Sequence, residues 1–151
     1  MPLPRRWGWF SPAGNCRGVV WVLRRAVIQQ LKAQVPGLGG RVYQAFLAPA
    51  GTPRPYATVK LPGIRGSPVI SYAGAQQVEV RIYGERDSFT TLDQLEADVI
   101  GALHGIEVLD ATDGSRHQVD WLPGGGDFPD DDKGLIGRLV TLEAAVIFER
   151  G

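Results

Sequence analysis

Apolar residues at Val20, Leu23, Val27, Leu31 and Val35 recur at steps of three and four, with Arg24, Arg25, Gln29, Gln30 and Lys32 between them. That spacing predicts one helix over 19–35 with a single buried face. Pro36 and the following GLGG (37–40) predict its stop. RVYQAFL (41–47) and YATVKL (56–61) read as strands separated by the turn-rich APAGTPRP. A long loop, PGIRGSPVISYAGA (62–75), then leads to QQVEVRIY (76–83), in which Val78, Val80 and Ile82 alternate with Gln77, Glu79, Arg81 and Tyr83. Strict alternation belongs to a strand of a sheet with one face covered. After GERD the period changes, and Phe89, Leu92, Leu95, Val99 and Leu103 fall on one helical stripe. Thr91 with Gln94 fits a capping box, Asp93 and Glu96 sit early, where the helix dipole favours acids, and Gly105 supplies the stop. The remaining strands are SRHQVDWL (115–122) and GLIGRLVTLEAAVIFER (134–150), the second with Val140, Leu142, Ala144, Val146 and Phe148 on one side. PGGGDFPDDDK (123–133) reads as the loop between them.

Helix, two or three strands, helix, two strands is the order of an α+β fold: a mainly antiparallel sheet with two helices packed on one face. A chain of 151 residues, 44% hydrophobic and 21% charged, fits one domain, and a domain of that size buries roughly 70% of the surface its unfolded form exposes. The domain is expected over 19–151. The first 18 residues hold three prolines, three glycines and no periodicity, and read as an aromatic and basic arm. Trp7, Trp9 and Phe10 in that arm are candidate anchors on a neighbouring subunit, because aromatics grouped so closely are costly to leave in water.

Charge narrows the partners. Lys+Arg and Asp+Glu both total 16, so no net field draws the whole chain onto nucleic acid or an anionic membrane. Cys16 is the sole cysteine; this excludes an intrachain disulfide and a thiolate metal cluster, and is compatible with a reducing compartment. The apolar run VVWVL (19–23) is followed at once by two arginines, far short of the roughly 20 residues of a membrane span.

Catalytic patterns are absent from the chain. His104 and His117 lie on different elements with no HxxxH or HxE neighbour; His104 suits a cation in a last helical turn, and His117 reads as a surface or hairpin residue. Neither GxSxG nor SxxK occurs. Asp127, Asp130, Asp131 and Asp132 form the best candidate for a hard cation, but Phe128 and Pro129 break the alternation of a calcium loop. The run DFPDDDK also resembles a PD…(D/E)xK nuclease and departs from it on spacing, since the two halves are adjacent here. The segment reads instead as a solvated loop or polar contact patch, and no cofactor is expected.

The order of elements, with PYATVKL (55–61), the QQVEVRIYG strand (76–84), a polar break with a serine and a leucine-spaced helix ending ALHG (102–105), resembles the tail terminator or tail completion proteins of long-tailed bacteriophages. LRRAVIQQLKA (23–33) is similar to that family's opening helix and GLIGRLVTLEAAVIF (134–148) to its closing strand. The resemblance spans about residues 22–149 and leaves the arm and the acidity of 127–132 unaccounted for. It implies a virion protein without catalysis, assembled in the host cytoplasm into a homo-hexameric ring on the head-proximal end of the tail tube. Such a ring blocks further addition of tube protein and presents a surface to the head connector or head-completion protein, with no membrane and no sequence-specific nucleic acid bound. Contacts are then expected from Arg65 in the 62–75 loop, from Asp127, Asp130, Asp131 and Asp132, and from Trp7, Trp9 and Phe10. The alternatives are another head–tail connector or neck protein of similar fold and, from the residues alone, a small binding module or a metal-dependent hydrolase using the acidic loop 127–132.

Overall fold

The computed structural model describes residues 16–66, 73–85, 89–109, 116–130 and 135–147. Within them run helix α1 (Cys16–Gln34), strands β1 (Val42–Gln44), β2 (Tyr56–Lys60), β3 (Ile64–Gly66) and β4 (Ala73–Glu85), helix α2 (Phe89–Leu103), and strands β5 (Ile106–Leu109), β6 (Arg116–Asp130) and β7 (Leu135–Ile147). The seven strands form one sheet in the order β1-β2-β4-β7-β6-β5, with β3 pairing β4 beside β2. All neighbours are antiparallel except β1 and β2, which run parallel. This is the α+β architecture the patterning predicts, and none of the described helices is long and apolar enough to cross a membrane.

Val78, Val80 and Ile82 on β4 and Val140, Leu142 and Ala144 on β7 are buried on the helix side, as their alternation requires. These two long strands pair over 13 positions, from Ala73–Ile147 to Glu85–Leu135, and form the spine of the sheet. β-branched residues suit such half-buried pleated surfaces, and each aliphatic side chain withdrawn from water contributes roughly 1.5–3 kcal/mol. Leu23, Ala26, Val27, Leu31 and Val35 of α1 and its end meet Leu92, Leu95, Val99, Ala102 and Leu103 of α2 in the same core. Gln30 Nε2 donates to the Ala102 carbonyl at 3.1 Å and ties the two helices together.

Several boundaries differ from the sequence reading. Helix α1 begins at Cys16, so the residues 16–18 assigned to the arm are helical. Strand β1 stops at Gln44, because Phe46 adopts φ 69° and turns the chain. The 62–75 segment is not wholly loop, since Ile64–Gly66 pairs back onto Gly74–Gln76. Helix α2 starts at Phe89, which puts Thr91 inside its first turn and not at a cap, and Phe89 is 47% exposed instead of joining the buried stripe. Strand β5 is additional, and His117 opposite Val108 is buried, not on the surface.

The largest difference concerns 123–133. Most of this supposed loop is strand, with β6 running through PGGGDFPD to Asp130. Pairing to β7 shifts register between Leu122 and Gly126, a bulge that absorbs the three glycines and re-aims the far half of the strand. Gly125 sits there at φ 89°, and a Cβ on it would meet the Leu139 carbonyl. Glycine is the residue that accepts both conditions.

Candidate functional site

The two faces of the sheet differ in chemistry. On the helix side, Arg138 occupies the row of Val140 and Leu142, opposite Asp127 on β6. An arginine in phase with buried positions must find acids, because an unpaired buried charge is expensive. It finds three. Arg138 donates from Nε to Asp127 Oδ1 at 2.5 Å, from one terminal nitrogen to Asp93 Oδ1 at 2.7 Å and from the other to Glu96 Oε2. Burial opposes the guanidinium's charge, but the hydrogen bonds from Glu96, Asp93 and Asp127 outweigh it and hold the group above its already high ordinary value. With 13% of the arginine side chain exposed, the cluster fastens the first turns of α2 onto β7 and the far half of β6.

Asp127 is therefore held within its own chain. Asp130 ends β6 in register with Leu135, while Asp131 and Asp132 lie outside the described residues. So do Trp7, Trp9 and Phe10. Arg65 lies on β3, paired with Ala75. Among the described residues no group of three or more His, Cys, Asp and Glu side chains is arranged to hold a metal ion. Asp93, Glu96 and Asp127 converge on a guanidinium. His104, at the end of α2, accepts the Trp121 backbone N–H on Nδ1 at 2.8 Å, and the two rings meet edge-on.

The opposite face carries aromatics and cations. Tyr43, Tyr56, Tyr83 and Phe128 form a continuous row across β1, β2, β4 and β6, with centroids 6.5, 4.9 and 5.6 Å apart. The row crosses β7 because Gly137 stands between Tyr83 and Phe128; a Cβ there would collide with the Phe128 ring. Arg81 lies over Phe128 at 5.6 Å and Lys60 over Phe46 at 5.7 Å. Contacts of this kind contribute about 0.5–1.5 kcal/mol each.

Above this row the 48–52 turn arches over a cavity of about 720 Å³, lined by Phe46, Arg54, Tyr56, Thr58, Arg81 and Tyr83. Phe46, which lines it, is 86% exposed and the next residue, Leu47, 65%, the two most exposed large hydrophobic residues among those described. A phenylalanine held at positive φ and left in water is a doubly unfavourable placement, of the sort that clusters at contact sites. Glu79 Oε2 is buried with no hydrogen-bond partner among the described residues, and so is Arg81 Nε in the cavity wall. Its terminal nitrogen lies 3.5 Å from Glu79. Sequence reading placed Arg81 and Tyr83 on the outer face but had no signal for the cavity, which needs a turn from a distant, earlier part of the chain to close it.

No established protein family matches the chain, and no curated protein matches it. Among solved structures it is similar to a chain of the virion of a native gene transfer agent particle, with a TM-score of 0.64 at 20% identity. The likeness covers 85% of this chain and 97% of that one. The two share a fold over nearly the whole of the virion chain.

Proposed function

We propose that this chain is a structural protein of a phage-like virion, acting as a tail terminator: a ring on the head-proximal end of the tail tube that stops tube growth and offers the head-joining surface. The observation that carries the reading is the fold shared with a chain of a gene transfer agent virion, coextensive with nearly all of that chain. The family resemblance of residues 22–149 supports the terminator role within that class. The physical design suits it. A heterologous contact whose rotation closes makes a ring and not a filament, and the sheet offers two unlike faces: one covered by helices, the other with an aromatic row and charged residues of both signs.

The reading requires no catalysis, and its partners are further copies of the chain, the tube protein and the head connector. The test is native mass of the purified protein across a concentration series. A hexamer, or a smaller species converting to one as concentration rises, is the expected result. A stable dimer at every concentration overturns it.

A further inference from the structure

The two helices divide the charge of their layer between them. Helix α1 carries Arg17, Arg24, Arg25 and Lys32 and no acid, whereas α2 carries Asp93, Glu96 and Asp98 and no basic residue. They run antiparallel, since Gln30 of α1 meets the Ala102 carbonyl while Gly37, just past α1, abuts Leu95. Antiparallel packing sends the charged regions apart. Arg24 lies before Gln30 on one helix and Asp93 before Ala102 on the other, so at about 1.5 Å per residue they stand roughly 20 Å apart along the helix axes. Charges are screened over roughly 8 Å in physiological salt. The two regions therefore do not neutralise each other within one chain.

At about 100° per residue, Arg24 and Lys32 fall on the side of α1 turned away from Gln30, and so away from α2. Lys32 is exposed and Arg24 half-buried, and neither joins an ion pair among the described residues. At the other end of the layer Asp93 and Glu96 share Arg138 with Asp127. Three carboxylates on one guanidinium leave that group negative. Asp93 gives Arg138 its Oδ1 and stays 66% exposed, open to a second donor. The whole chain balances, with 16 basic and 16 acidic residues, so the complement of each surface is present on another copy of the same molecule. Unlike surfaces that complement each other are what a head-to-tail contact needs, and opposed charges fix its register. We infer that the Arg24/Lys32 face of α1 on one copy docks against the Asp93/Glu96 end of α2 on the next. This rests on the ring reading and names its subunit contact.

The test mixes two full-length variants. Arg24→Glu with Lys32→Glu makes the α1 face acidic, and Thr90→Lys with Asp93→Lys makes the α2 end basic. Each variant alone is expected to need at least tenfold more protein than wild type to form the hexamer. An equimolar mixture assembles like wild type, because every contact then joins an acidic face to a basic one. Thermal melts establish that each variant is folded; if the second is not, Thr90→Lys with Gln94→Lys, both exposed positions, replaces it and spares the Arg138 contacts. The first variant, labelled with fluorescein and followed by anisotropy, should bind the second and not itself, and lose that binding in high salt. Variants that each assemble like wild type, or that do not bind one another, overturn the inference. A mixture as defective as its parts also overturns it, and points to another virion protein as the partner of these faces. A wild-type hexamer indifferent to both variants sinks the contact and leaves the ring; binding of one variant to the other in a chain that forms no ring does the reverse.

Discussion

The inner and outer faces of this sheet are built from the same strands, one residue apart, and they answer to different demands. On the inner face Val78, Val80, Ile82, Val140 and Leu142 are buried in the core that the helices cover, and Arg138, a cation in the same layer, meets three carboxylates. On the outer face the neighbours of those residues are Arg81, Tyr83, Thr58 and Tyr56, around a cavity with an unsatisfied arginine nitrogen and an exposed phenylalanine. The inner face has little left to gain from a partner. The outer face does: it carries desolvation and strain that intramolecular contacts leave unrelieved. The two demands, internal rigidity and an outward surface, are thus separated across one pleated layer.

Substitutions can break or sharpen that contrast. The largest effect is expected from Leu142→Ala, which opens a cavity in the core at a fully buried position. Roughly 2–5 kcal/mol of unfolding free energy should be lost in a denaturant titration, and a loss under about 1 kcal/mol would mean that the inner face is not the stabilising one. Arg138→Met comes next. It strands Glu96, Asp93 and Asp127, but the two aspartates are more than half exposed, so about 2 kcal/mol is expected, below the range for a fully buried pair. Asp127→Asn on top of Arg138→Met should then cost little further, and full additivity would show that Asp127 acts elsewhere.

Gly137→Ala tests the aromatic row, since the added methyl meets the Phe128 ring. About 1–2 kcal/mol is expected from the forced shift. Removing the ring as well, in Gly137→Ala with Phe128→Ala, should not add the full cost of each change. The smallest effect on stability, and the most diagnostic, belongs to Phe46→Gly. Phe46 holds φ 69° with its ring in water, and glycine accepts that angle without strain. Stability should therefore stay level or rise by up to about 1 kcal/mol. Native mass should nevertheless fall, because an apolar rim has been removed; a variant more stable and equally associated would take Phe46 out of the contact surface.

Much of the inner face was legible in the sequence. The period of two in 78–82 and 140–144 and the period of 3.6 in both helices report burial directly, because each counts which side chains share a face. Arg138 carried a signal too: it falls in phase with Val140 and Leu142, where a charge demands acids, and Asp93 and Glu96 at the start of a helix were at hand. The outer face was far less readable. Phe46 looks like the sixth residue of a strand in RVYQAFL, and only its backbone angle makes it a rim. PGGGDFPD has the composition of a turn, yet 13 residues of β7 are available as a ladder, and pairing backbone groups along it outweighs weak local preference.

By itself the sequence determined the α+β class, the position of both helices and which residues of the central strands turn inward, since those follow from periodicity and local stop signals. Tertiary structure decided where β6 ends, that Asp127 serves Arg138 instead of a partner, and that Arg81, Tyr83, Phe46 and Arg54 share one cavity. The Arg138 contacts join residues 11 to 45 positions apart, and the cavity joins 46–58 to 81–83. Distant groups come together through strand order and register, and no local pattern encodes either.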